Sequence, residues 1–349
     1  MSATSASKRG KLPHLLAEQV RHFRRGHHAP GSVFPTKQAL ADQLGIAPMS
    51  ALRLLAQLRE WGFITSSPRH GTRVAAYLPH RHRFGLALYD QRDHLGSHCR
   101  ALAEAARLVH ADGATWEVFY GAADSARLCE ALTLERLAGL VIPQADAFAS
   151  LDLTRLRCPV IGSVRGDRST PSHADLIQDE HLFIHTAAQH LLLNGRTRLA
   201  VLVDAFRGPQ IVQREILKAQ QALGFIHLPR WLQAAPLNRP AWARQGLDLL
   251  FDTNGDDRPD GLLVLDDHFL PVVEEFLRRP AGSDVGIAMQ WNLPQPCPVL
   301  HPAISLIGWD MPILLASALA EMRNFQHHGW PMVQRRVSPC VLPMSHGDS

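Results

Sequence analysis

From Phe84 onward the chain alternates short apolar runs with longer amphipathic stretches, and that rhythm leaves few folds open. "FGLALYD" (84–90), "WEVFYG" (116–121), "AGLVIP" (138–143) and "CPVIGSV" (158–164) read as buried strands. Between them "SHCRALAEAARLVHADG" (97–113) and "SARLCEALTLERL" (125–137) carry apolar residues at helical spacing. The alternation continues through helix 181–195, strand 198–204, helix 209–224, a helix near 244–251, strand 260–267, helix 269–279 and strand 284–291. Apolar strands separated by helices belong to parallel sheets covered on both faces. Ligands of such sheets bind beyond the carboxyl ends of the strands.

The first 83 residues follow a different pattern. "LPHLLAEQVRHFRRG" places Leu12, Leu15, Leu16, Val20 and Phe23 on one helical face, with Gly26 at its end. After a Pro- and Gly-containing loop, Thr36 is set to cap a helix running to Leu44. Gly45 permits a tight turn, and Pro48 suits the first turn of the next helix. "FIT" and "RHGTRVAA" read as a hairpin turning near His70 and Gly71. Charge marks the same boundary. Residues 1–83 hold 13 Lys and Arg against three Asp and Glu, a balance of +10, whereas the rest of the chain stands at −6. A compact basic module on an acidic body is the footprint of a part that meets polyphosphate.

Composition closes other routes. No apolar run approaches the roughly 20 residues that span a bilayer, and "MSATSASKRGK" has no apolar segment behind its basic pair, so no membrane association or secretory signal is expected. The five cysteines are far apart and never in C-x-x-C spacing, which fits buried, reduced thiols in a cytoplasm and argues against disulfides or a zinc site. The G-x-S-x-G, G-x-x-x-x-G-K-[ST] and H-E-x-x-H motifs are absent, so no enzyme, cofactor or metal is expected. "DTNGDD" (252–257) lacks the Glu that a calcium loop needs at its twelfth position, and His80 and His82 read as part of a solvated basic linker.

"P-T-K-Q-A-L-A" (35–41), "L-G-I" (44–46), "L-x-x-L-x-x-x-G-F-I" (55–64) and "H-G-T-x-V" (70–74) together resemble the winged helix-turn-helix of GntR-family bacterial regulators, over about residues 12–75. The resemblance implies that the second helix of the motif enters the major groove and that the wing meets backbone or minor groove. Thr36, Lys37, Ser50, Arg53, Gly71, Thr72 and Arg73 would then contact DNA, largely its backbone. The family's usual arginine is replaced by Pro48, and Ala47 and Leu52 also depart from its pattern. Base or groove contacts therefore fall to Gln38, Met49, Arg53 and the wing at His70.

The remainder resembles the LacI-family effector domain, whose fold is that of periplasmic sugar-binding proteins. The residues carrying it are "QDEHLFIHTAAQHLLLNGRTRLAVL" (178–202), with Phe183 at a usual glycine, "DGLLVLDDHFL" (260–270) and "ISLIGWDMPILLASALAEM" (304–322). The resemblance places an effector cleft between two lobes, about 84–195 with 310–327 and about 196–309 with 328–349. It assigns to that cleft Tyr89 and Asp90 after the first strand, and Arg207 after "AVLVD". Arg214 stands one place beyond the family's next arginine. Asp266, Asp267 and Asp310 supply carboxylates, and Trp291 and Trp309 are candidate sugar platforms.

These readings define a disordered tail at 1–11, a winged helix-turn-helix at 12–75, a linker at 76–83 and a two-lobed α/β domain at 84–349. The function expected is a homodimeric, cytoplasmic transcription regulator. It would bind a palindromic operator in double-stranded DNA, with its affinity tuned by a small effector, a sugar or sugar derivative. The alternative is a DNA-binding architectural protein with a vestigial cleft.

Overall fold

The computed structural model describes residues 11–89, 97–143, 156–162, 174–205, 208–252, 258–296, 301–329 and 335–342. The chain begins with three helices, α1 (Lys11–Arg24), α2 (Lys37–Leu44) and α3 (Pro48–Glu60), followed by a two-stranded antiparallel hairpin, β1 (Ile64–Ser67) and β2 (Gly71–Val74). Local chemistry fixes these ends. The Thr36 hydroxyl accepts from the Ala39 amide at 3.3 Å, and α2 stops at Gly45, whose φ of 60° lies in the left-handed region. Leu40, Ala41, Ala51, Leu54 and Leu58 are buried between the helices with Val20 and Phe23 of α1. Each such leucine contributes about 1.5–3 kcal/mol relative to exposure. The loop before α2 runs beside the hairpin, with Val33 bridged to Arg73.

The segment joining this module to the rest is shorter and better packed than a solvated linker. Only residues 75–82 separate β2 from β3 (Arg83–Leu88), and Pro79–His82 form a helical turn, α4. Ala75, Leu78 and Pro79 are buried, and the His80 ring stacks on Phe63 at 6.2 Å. The reading of His80 and His82 as solvated is thereby corrected: apolar residues beside them hold the turn against the protein.

Two six-stranded sheets follow. The first has the order β13-β7-β6-β5-β3-β4 and is parallel throughout. Its other strands are β4 (Thr115–Tyr120), β5 (Gly139–Ile142), β6 (Val160–Gly162), β7 (Ala174–Gln178) and β13 (Arg335–Val337). The second contains β8 (Leu199–Asp204), β9 (Leu232–Ala235), β10 (Gly261–Val264), β11 (Gly286–Gln290), β12 (Ile304–Gly308) and β14 (Cys340–Val341). Its order is β14-β12-β11-β10-β8-β9, parallel except for β14. Helices α5 (Ser97–Leu108), α6 (Ser125–Thr133) and α11 (Met311–His328) cover the first sheet. The second is covered by α7 (Glu180–Leu193), α8 (Pro209–Leu223), α9 (Pro240–Phe251) and α10 (Leu270–Leu277). The fold is a mixed α/β arrangement of the type I periplasmic-binding-protein kind.

The chain crosses between the sheets three times, after β7, after β12 and after β13. Two of these crossings differ from the boundaries drawn from sequence. Helix α7 packs on the second sheet and against α8, so the first crossing lies at 178–180 rather than near 195. Residues 335–337 pair with β7 in the first sheet rather than joining the second lobe. The crossings are tied together. The Val337 carbonyl accepts from the Trp309 indole at 3.0 Å and from the Asp179 amide at 3.3 Å, while Gln178 reaches the Met311 sulfur at 3.8 Å.

Gly308, at the end of β12, runs directly against the Trp291 backbone, and a Cβ there would overlap the Trp291 carbonyl oxygen. Backbone on both sides of the contact leaves nothing flexible to yield. Gly308→Ala is expected to destabilise the fold by about 1–3 kcal/mol, read from the urea unfolding midpoint. An unchanged midpoint would show that β12 and the end of β11 separate freely.

Candidate ligand cleft and nucleic-acid interface

Strand β10 ends at Val264, and the chain then places two acids and an imidazole in succession. Asp266 and Asp267 are both buried. Asp266 caps the following turn, accepting from the His268 amide at 3.0 Å, and the same carboxylate oxygen lies 2.7 Å from His268 Nδ1. Asp267 lies 3.5 Å from that nitrogen. Adjacent buried carboxylates are costly unless something neutralises them. Here His268 does so: hydrogen bonding to Asp266, then to Asp267, pushes its pKa up to about 10. Burial, reinforced by Asp266, pushes the Asp267 carboxyl above its usual range. The three side chains offer ligand atoms within 4.8 Å of one another, but they already serve as one another's partners.

The neighbouring strand adds a group that the sequence reading missed. β10 and β11 pair in register, Val264 opposite Met289, and Asn292 follows the end of β11 as Asp267 follows the end of β10. Asn292 is only 1% exposed, and its Oδ1 is buried with no hydrogen-bond partner among the described residues. A buried carbonyl oxygen left without a donor costs on the order of 1–3 kcal/mol. His268 and Asn292 carried no distinctive sequence signal; His268 is the chain neighbour of Asp267, and the pairing of β10 with β11 puts Asn292 after the adjacent strand.

The other expected cleft residues separate. Tyr89 sits half-buried at the end of β3, packed against the core, whereas Asp90 and Arg207 lie outside the described residues. Arg214 lies on α8 with its side chain 66% exposed, and it pairs with Glu215 at 3.2 Å in a cluster with Lys218 and His181. Asp310 caps α11, accepting from the Ile313 amide at 3.0 Å. Neither tryptophan offers an open face. Trp309 is 1% exposed and stacks on Phe183 with ring centroids 5.2 Å apart, and Trp291 is buried in the core of the second sheet. The sugar-platform expectation is corrected for Trp309, whose ring and N–H are both used to hold the chain crossings.

In the N-terminal module, α3 turns Met49, Leu52 and Arg53 outward, with Ser50 half-buried beside them. Lys37 and Gln38 are exposed at the start of α2, where Gln38 bonds to Asp42 at 3.0 Å. The Thr36 hydroxyl is engaged as a cap, and Arg73 binds the Gly31 carbonyl at 2.9 Å, so two expected DNA contacts also have structural duties. Thr72 bonds to Ser66, which Arg59 also reaches at 2.8 Å. His70 and Gly71 are exposed at the hairpin tip beside Arg69, a cation that the sequence reading passed over. Among the described residues no helix is long and apolar enough to cross a membrane.

No sequence-family model matches the chain, and no curated protein is found similar to it. Solved structures are. A regulatory protein of the LacI family from Chloroflexus aggregans is 15% identical with a TM-score of 0.58, over 75% of this chain and 96% of that one. A LacI-family transcriptional regulator from Enterococcus faecium, solved with bound ribose, is 15% identical with a TM-score of 0.53, over 75% and 97%. The complex of the transcriptional regulator CelR with cellobiose is 14% identical with a TM-score of 0.56, over 89% and 99%. The likeness establishes a shared fold.

The electrostatics of the acid pair can be measured. An unfolded imidazole releases its proton near 6.5, whereas His268 in the fold holds it to about 10. Its contribution to stability is therefore complete below about pH 6.5 and is lost as pH rises toward 10. An NMR titration is expected to find the His268 ring still protonated at pH 8. A midpoint near 6.5 would show that Asp266 does not hold it.

Proposed function

We propose that this chain is a DNA-binding transcription regulator whose affinity for its operator is set by a small ligand bound at the carboxyl ends of the two sheets. The observation that carries the reading is the buried Asn292 Oδ1, which has no hydrogen-bond partner among the described residues and follows the end of β11, the strand paired with the one that leads into Asp267. A hydroxyl-rich ligand supplies a donor to that amide oxygen, and its other O–H groups can donate to the carboxylates. The ribose and cellobiose in the similar structures support a sugar or sugar derivative as the ligand class.

DNA recognition in this reading belongs to the basic N-terminal module, acting as a GntR-type winged helix with α3 in the major groove. Its exposed face is apolar around one cation, which suits thymine methyl groups beside an Arg53 contact rather than paired guanines. Two copies acting as a homodimer on a palindromic site give the reader its symmetry. Ligand binding shifts operator affinity only through its preference for one arrangement of the sheets, typically 1–3 kcal/mol of coupling. The burial of both tryptophans favours the rival reading, a DNA-binding protein with no ligand response, and the Asp267 variant below separates the two.

Selection from random duplexes with the full-length chain is expected to enrich a palindrome with A·T pairs in each half-site. Enrichment of guanine-centred half-sites would overturn the assignment of Met49 and Leu52. Lys37→Ala and Arg53→Ala should each lower the salt slope of binding by about one; an unchanged slope removes that residue from the phosphate contacts. With a sugar effector identified by screening, Asp267→Asn should abolish its effect on DNA affinity while binding without the sugar stays intact. A retained response would place the ligand elsewhere.

A further inference from the structure

A cavity of about 1050 Å³ lies at the opposite end of the first sheet, where strands begin rather than end. Ala138 and Pro159, immediately before β5 and β6, form part of its floor. Its remaining walls come from separate parts of the chain: Arg24 at the end of α1, the α4 turn, and Arg157 and Arg323 of the first-sheet domain. Four arginines and three histidines face two acids there. Both acids are already engaged, Asp112 by Arg323 at 2.8 Å and Glu135 by Arg24 and by Arg157 at 3.4 Å. Arg81 makes no ion pair among the described residues.

The imidazoles point the same way. Both ring nitrogens of His80 and Nδ1 of His82 are buried without a hydrogen-bond partner among the described residues. Burial, with Arg81 and Arg24 adding repulsion, holds the His80 pKa down to about 4, so the ring is neutral among these cations. Unpaired donors and cations gathered around a partly desolvated hollow are compensated by an anion that enters it.

We propose that this cavity is a second ligand site, for a small anion bearing two or more phosphate or carboxylate groups. Such a ligand would bridge Arg81 on the α4 turn to Arg157 on the first-sheet domain and fix the N-terminal module against it. Occupancy of the site stands apart from the cleft; only its consequence for operator affinity rests on the function proposed above.

The test uses the full chain, without DNA, and inorganic pyrophosphate as the probe at constant ionic strength. A saturable rise in melting temperature is expected, following mass action, with calorimetry giving its dissociation constant. Arg81 and Arg157 are exposed, so Arg81→Ala/Arg157→Ala should fold normally and bind pyrophosphate at least tenfold more weakly. Arg278→Ala, an exposed arginine on the second-sheet domain, should bind like the parent. A shift that tracks ionic strength, or that survives the double substitution, overturns the proposal. A short duplex whose binding is weakened by the double substitution as strongly as that of pyrophosphate would assign the cavity to the nucleic-acid backbone and overturn it as well. Because binding is read without DNA, a chain that reads no operator but takes up pyrophosphate would refute the proposed function and leave this site standing.

Discussion

A parallel strand can be paired only by a chain that travels back across the face of its sheet, and most of this molecule follows from that requirement. Each return lays a helix over the strands, so both sheets are covered and their strands can be apolar throughout. It also gathers the carboxyl ends of successive strands along one edge. All three crossings leave from such ends, those of β7, β12 and β13. The Val337 carbonyl, shared by Trp309 and the Asp179 amide, binds them into one joint. The polar groups beyond β10 and β11 lie on the same kind of edge, the one at which parallel α/β sheets generally take their ligands.

The cost of that edge is electrostatic. Asp266 and Asp267 are withdrawn from water, and His268 offsets them by holding a proton that an ordinary imidazole would release. Asp266 is committed to its turn and to His268, whereas the Asn292 Oδ1 has no hydrogen-bond partner among the described residues. At the amino ends of the first sheet the imbalance has the opposite sign, with guanidinium groups outnumbering carboxylates around an open hollow.

How much of this the sequence disclosed depends on how local the signal is. Thr36, Gly45 and Pro48 each act on the backbone beside them, and α2, its turn and α3 lie where those residues place them. Most interior strands were visible as apolar runs, but β7 inside the first sheet was missed, and β9, β13 and β14 are short edge strands with weak patterns. Helix α7 was recognised but assigned to the wrong sheet, because Phe183, Ile184, Ala187, Ala188 and Leu191 say that the helix is buried and not against what. Asp267 was singled out because an acid after an apolar strand is conspicuous; Asn292 passed unnoticed, since an asparagine there looks like any loop residue. Trp309 was misread because an indole serves a core and a sugar equally well in sequence. Cysteines were expected to be mostly buried, and of those described only Cys99 is.

The short connection between the hairpin and the first sheet has a mechanical meaning. Eight residues separate Val74 from Arg83, and half of them form the α4 turn. Arg136 lies 5.5 Å from the Trp61 ring, and Leu134 packs against the helical core. A tether without slack does not absorb displacement. A rotation of the first sheet would therefore carry the basic module with it, as a crank turns with its shaft.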